Sequence, residues 1–176
     1  MDINLLVNIT SKAWCLRILS LLHQGVPARQ APLIAASGAG RTAFGQSLQH
    51  LRDLGLVETN PGHGHPLRPE YRLTPKGAQI ASIAAKIDLN VEEPDEQTLI
   101  RRAWTIPVLA VSQQPRYFGH IKESLGRITD RALSQSIKQL EEKRWLNRQI
   151  DMNLRPPRPL YQSANTGLLI SRAING

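Results

Sequence analysis

The feature that most constrains this chain is an internal repeat at a spacing of about 90 residues. The segment "WCLRILSLL" beginning at Trp14 is answered by "WTIPVLAVS" beginning at Trp104. The same offset pairs Leu19 with Leu109, Arg68 with Arg158, Tyr71 with Tyr161 and Gly77 with Gly167. One residue of slippage pairs Phe44 with Leu133, Leu48 with Ile137 and Leu51 with Leu140. Few of these pairs are identical, but order and spacing persist. The chain reads as two copies of one small domain. Its 176 residues suffice for two small cores.

Charge follows the same division. Residues 1–87 carry a net +5, residues 88–98 a net −5 and residues 99–176 a net +8. We therefore divide the chain into a domain over 1–87, an acidic linker over 88–98 and a domain over 99–176. Two basic lobes favour a polyanionic partner, with nucleic acid first and acidic membrane surfaces second. Cys15 is the only cysteine, which excludes an internal disulfide and fits a reducing, cytoplasmic setting. No apolar run reaches the length of a membrane span, and no secretion signal is visible at the N-terminus.

Each copy parses into the same elements. In the first, Ser11 is expected to cap a helix over about 12–23, with Trp14, Ile18, Leu21 and Leu22 on its apolar face. A short helix follows over 28–36, then a turn at "SGAG". A third helix is expected over 41–54, with Phe44, Leu48 and Leu51 inward and Gly55 as its left-handed C-terminal residue. "LVET" and "EYRLT" read as strands around a loop "NPGHGHP". Thr74 then caps a last helix with Pro75 at its first position. In the second copy a helix over 96–111 is expected to kink at Pro107, followed by a short helix at "YFGHIKESLG". Thr129 caps a third helix, "WLNRQI" and "PLYQS" form strands, and a final helix begins near Asn165. The fold class is mainly α with small β-wings (α+β): two winged helix-turn-helix domains in tandem, with an intrachain pseudo-dimer as one way to pack them.

These residues resemble a known family. "W..RIL..L", "L..LRDLGLVE" and "P.YRLTPKG" are similar to the HxlR group of bacterial winged-helix transcription regulators, related to the MarR and PadR proteins. The second copy keeps "LSQSIKQLEEK.WLNR" and "PPRPLY". The resemblance covers nearly the whole chain, twice. Three departures stand out. HxlR proteins usually carry one domain per chain and dimerise. The second copy also has "SANTG" where the first has "LTPKG". Relatives that sense oxidants place a cysteine well before the tryptophan, whereas Cys15 follows it at helical spacing from Leu19 and Leu22, which reads as a core thiol.

The resemblance implies a transcription regulator that binds double-stranded DNA in sequence-specific fashion. Recognition helices over about 41–54 and 129–143 would enter the major groove, and wings over about 58–73 and 147–163 would meet the minor groove or backbone. The outward face of the first helix is Arg41, Thr42, Gly45, Gln46 and Gln49. That of the second is Asp130, Arg131, Ser134, Gln135 and Lys138. Arginine suits guanine and glutamine suits adenine, each through paired hydrogen bonds. Asp130 fits the positive helix start better than a base edge. On the wings Arg68, Arg155 and Arg158 suit a narrow, negative minor groove. For Arg68, pairing with a carboxylate such as Glu70 is an equal alternative. The helices share only one glutamine (Gln46, Gln135), so an asymmetric site is expected if both bind. In a pseudo-dimer the two helices would sit roughly 34 Å apart.

Other classes find less support. No nucleotide-binding glycine fingerprint, P-loop or paired-cysteine zinc motif occurs, so catalysis is not expected, and neither is a cofactor. His63 and His65 are too few to bind a metal, and the matching stretch of the second copy has no histidine. The alternatives are a protein-interaction or dimerisation module and a replication-initiator-like DNA-binding protein. The chain itself would act as a monomeric pseudo-dimer or as a homodimer. A small-molecule effector is conceivable, with Trp14 and Trp104 as candidate pocket walls.

Overall fold

In the computed structural model residues 1–176 are described, Gly64 only as part of its strand. The elements run α1 (Ile3–Thr10), α2 (Cys15–His23), α3 (Gln30–Ser37), α4 (Arg41–Asp53), β1 (Val57–His65), β2 (Arg68–Leu73) and α5 (Pro75–Leu89). The second series is α6 (Pro94–Ile100), α7 (Thr105–Val111), β3 (Arg116–Tyr117), α8 (Phe118–Leu125), α9 (Asp130–Glu142), β4 (Leu146–Asp151), β5 (Arg158–Ser163) and α10 (Asn165–Asn175). Helices thus dominate, and two small antiparallel sheets supply the β content. The α+β class and the order of a winged helix-turn-helix, twice over, are both observed.

The chain divides into two compact units that do not coincide with the two halves of the sequence. One is Lys12–Leu89; the other joins Met1–Ser11 to Asn90–Gly176. The stretch 88–98, read as a linker, runs from the end of α5 into α6.

In the Lys12–Leu89 unit the core is made by Ile18 and Leu19 of α2, Leu33 of α3, Phe44 and Leu51 of α4, and Leu56 ahead of β1, each fully buried. Helix α2 packs along α5. Arg17 of α2 forms an ion pair and hydrogen bond with Asp88 of α5, and Ser20 donates to the same carboxylate at 2.9 Å. Gly38 (φ 75°) and Gly55 (φ 67°) close α3 and α4 in the left-handed conformation, which glycine adopts without a Cβ penalty. Thr74 accepts from Gly77 N at 3.0 Å and so caps α5, with Pro75 as its first residue.

In the other unit, α1 lies against α7 and α8, and its Leu6 and Ile9 are fully buried. The amino group of Met1 donates to Ile174 O at 3.2 Å. Ile106, Leu109, Ile121, Leu133, Leu140 and Ile170 complete the core, closed by Trp145. Thr129 accepts from Ala132 N at 3.2 Å and caps α9.

Four expectations are corrected. Ser11 does not open α2. It ends α1, and its hydroxyl donates to Asn8 O at 2.6 Å. Residues 12–14 are therefore a turn, and α2 begins at Cys15 with Trp14 at its N-cap. The expected single helix over 96–111 is two helices, α6 and α7, broken at 101–104 with Trp104 in the same N-cap position. Pro107 causes no kink, because it lies in the first turn of α7, where no intrahelical N–H bond is lost. Third, "NPGHGH" is not a loop. Strand β1 continues through it to His65, with a register shift between Thr59 and Gly64. The shift absorbs Pro61, which cannot donate to a ladder. Fourth, β3, which sequence reading missed, adds a third strand, in the order β3-β5-β4.

Cys15 is fully buried, with Sγ 3.5 Å from Ser47 O, and burial pushes its thiol pKa up to about 12. A thiol this buried and this weakly acidic is a poor nucleophile. Iodoacetamide is expected to label native protein at pH 8 negligibly within an hour and urea-unfolded protein fully. Comparable labelling of the native chain by mass spectrometry would contradict the buried placement.

Candidate nucleic-acid interface

The two recognition helices are built alike. Helix α4 turns Phe44, Ser47, Leu48 and Leu51 inward, and α9 turns Leu133, Ser136, Ile137 and Leu140 inward. A helix with a buried stripe at this spacing must present its other face to solvent. That face carries Arg41, Thr42, Gln46 and Gln49 on α4, all exposed. On α9 it carries Arg131, Ser134, Gln135 and Lys138, again all exposed. Gly45 lies among the first set, half-buried, with open space around its Cα.

The exposed residues differ in how freely they can be used. Gln49 is held on its own helix, donating to Asp53 at 2.8 Å and accepting from Arg52 at 3.4 Å. Lys138 faces Glu142 one turn on at 4.0 Å, a contact between solvated side chains that contributes little. Arg41 and Arg131 have no carboxylate within 4.0 Å among the described residues. Asp130 at the start of α9 pairs with Lys122 of α8 at 2.7 Å. It fixes the first helix of the motif to the second and sits at the positive end of α9, in keeping with a structural role.

The wings place their arginines at matching points of the hairpins. Arg68 pairs in register with His65 at the first tip, and Arg158 with Asp151 at the second. Arg68, Arg155 and Arg158 are exposed. Glu70 is not the partner of Arg68: it accepts from Asn60 at 2.9 Å and faces Arg29 at 3.9 Å. His65 Nδ1 accepts Leu67 N at 3.2 Å, which ties the histidine into its own turn.

Sequence reasoning overlooked the bonds that stiffen each wing. In the first, Arg72 pairs with Glu58 directly across the hairpin at 2.6 Å, and Arg29 bridges to Glu70 as a rudimentary third strand. In the second, Tyr117 of β3 donates to Asp151 at 2.6 Å across β5. That bond holds the Asp151 carboxyl below and the Tyr117 phenol above their ordinary pKa values. Arg116 and Arg148, which the expected set omits, are exposed and both stand opposite Tyr161 in register. Arg148 lies in the expected strand "WLNRQI", whereas Arg116 lies in β3, outside every expected strand.

By unit, the net charge is +5 for Lys12–Leu89 and +3 for the other, because the latter absorbs most of the acidic stretch. Part of that acidity is turned inward on the unit itself: Asp95 and Glu96 face Lys143 at the end of α9, at 2.7 and 3.9 Å. Hydrogen bonding to Lys143 holds the Asp95 carboxyl below its ordinary pKa and lifts that of the lysine. Beside this contact an open hollow of about 600 Å³ lies between α6 and α9, with Leu99, Arg102, Gln139 and Lys143 in its wall.

No curated protein and no solved structure matches the chain. The sequence profile described as HxlR-like helix-turn-helix matches it twice, over residues 9–96 and 99–175. Those two spans cover almost every residue, and each holds one complete set of paired helices and wing. The chain therefore belongs to the HxlR-like helix-turn-helix family of DNA-binding transcription regulators, and carries the family's domain in tandem.

Proposed function

We propose that the protein binds duplex DNA in sequence-specific fashion with both of its helix-turn-helix motifs. Helices α4 and α9 enter the major groove and the two wings meet the minor groove or backbone. The observation that carries this reading is the matched pair of outward faces, each polar, exposed and opposite a buried stripe of three apolar residues and one serine. Arg41 and Arg131, near the two helix starts, are the strongest candidates for guanine edges. Gln46 and Gln135 suit adenine, and Thr42, Ser134 and Lys138 suit phosphates or bases. Gln49 reaches a base only by exchanging its bond to Asp53. Arg68, Arg155 and Arg158 supply cations to the wings. The two faces differ in nearly every residue, so the bound site is asymmetric.

The test is a salt series with Arg131→Ala and Lys138→Ala combined. Both side chains are exposed, so the fold is expected to persist. DNA affinity should fall about 10- to 100-fold, and the slope of log affinity against log salt should flatten by roughly one to two. Unchanged affinity and slope would remove α9 from the interface. Binding of a protein partner with no measurable affinity for duplexes selected from a random pool would replace the reading by an interaction module.

A further inference from the structure

Among the described residues five large apolar side chains are exposed: Leu67, Leu89, Ile150, Met152 and Leu169. Three of the five belong to the wings. Leu67 is 85% exposed in the two-residue turn between His65 and Arg68. Met152 is 73% exposed in the turn segment following Asp151, the register partner of Arg158. Ile150, 47% exposed, lies in β4 two residues before Met152. Each hairpin tip therefore presents one prominent apolar side chain beside exposed arginines. The acidic group nearest the second tip, Asp151, is already engaged by Tyr117.

Scattered apolar residues on a surface need no explanation. Their recurrence at both wing tips does: Leu67 adjoins β2 in the first wing and Met152 adjoins β4 in the second. The tips combine two chemistries. The arginines complement the negative potential of a narrow minor groove. A leucine or methionine offers nothing to phosphate, but is suited to press between base pairs, where unstacking admits an apolar side chain and bends the duplex. The surrounding cations disfavour a basic partner, and one or two apolar side chains per wing are too little area to anchor a membrane.

We propose that Leu67 and Met152 are wedges that bend DNA at the two wing contacts, with Arg68 and Arg158 holding each tip in the groove. This rests on the reading of both motifs as DNA-binding. It adds that part of the specificity lies in deformability: flexible pyrimidine–purine steps at the wing positions are favoured, without hydrogen-bond readout there.

The experiment uses the full chain and duplexes that it selects from a random pool, with the site moved along fragments of fixed length to read bending by gel mobility. The native chain should bend DNA by tens of degrees, in the ~20–90° range of minor-groove wedges. The pair Leu67→Ala with Met152→Ala should lose at least half of that bend and the step preference, while affinity falls less than about tenfold because arginine and major-groove contacts remain. Leu67→Met with Met152→Leu should restore the bend, and Leu89→Ala, equally exposed but off the wings, should leave it unchanged. A native complex that binds without bending overturns the wedge alone. So does equal bending by the alanine pair; if that pair also abolished self-association, the tips would belong to contacts between copies. A native chain that selects no duplex overturns the DNA-binding reading along with the wedge.

Discussion

Replacing Gly77 by alanine is expected to destabilise the Lys12–Leu89 unit by about 3 kcal/mol or more, the upper end of what overpacking costs. Ordinarily the same change inside a helix stabilises, by about 1 kcal/mol. The sign reverses here because a Cβ at Gly77 would lie 1.8 Å from Leu56 O and 2.8 Å from Leu56 C. That carbonyl is fixed, accepting Thr74 N at 3.1 Å, so it has no free direction of retreat. The second copy repeats the device. A Cβ at Gly167 would lie 2.1 Å from Trp145 O, which accepts Ala164 N at 2.9 Å, and 2.9 Å from Leu109 Cδ2. Gly45 of α4 is the contrast: nothing lies within 4 Å of the corresponding point. Gly45→Ala should therefore raise stability by about 0.5–1 kcal/mol. Denaturant titrations of the three variants check the ranking. Wild-type stability in Gly77→Ala would show that α5 does not approach Leu56 as closely as described.

The second large effect is one of address. Leu6→Ala should cost about 2–5 kcal/mol, as truncation of a fully buried leucine does. The loss should appear in residues 90–176, although Leu6 belongs to the first half of the sequence. Helix α1 packs on α7 and α8, and Met1 is tied to Ile174. Native-state hydrogen exchange separates the possibilities residue by residue. Amides of α7 and α8 should lose protection while those of α2, α4 and α5 keep theirs. Loss confined to residues 12–89 would place α1 with the wrong partner.

Much of this architecture could be read from sequence because the repeat checks itself. Any element seen clearly in one copy sharpens its faint twin, as Arg68 and Arg158 do for the wings. Gly77 and Gly167 were visible as a pair, but the backbone they make room for was not. Local chemistry was legible where one residue decides it: Thr74 and Pro75 open α5, Thr129 opens α9, and Gly55 ends α4. It failed where two readings share a residue. Ser11 is as good a last residue of one helix as a first residue of the next, and "INLLVNIT", rich in β-branched residues and asparagine, gives a weak helical signal. The break at 101–104, "RRAW", holds neither glycine nor proline, so Pro107 drew the expectation to the wrong place. On the candidate interface, the inward stripes of α4 and α9 fixed which residues face outward. What sequence could not supply were the neighbours that tie up some of them, Asp53 for Gln49 and Lys122 for Asp130. Such contacts depend on side-chain reach.

The placement of α1 also orders events in time. Residues 3–10 are made before the surface that buries Leu6 and Ile9, which belongs to residues 90–176. At synthesis rates of about 5–20 residues per second, that surface emerges on the order of ten seconds later. The Lys12–Leu89 unit has all of its elements in hand long before then. In the growing chain Leu6 and Ile9 therefore wait for the surface that buries them after every residue of the Lys12–Leu89 unit has been made.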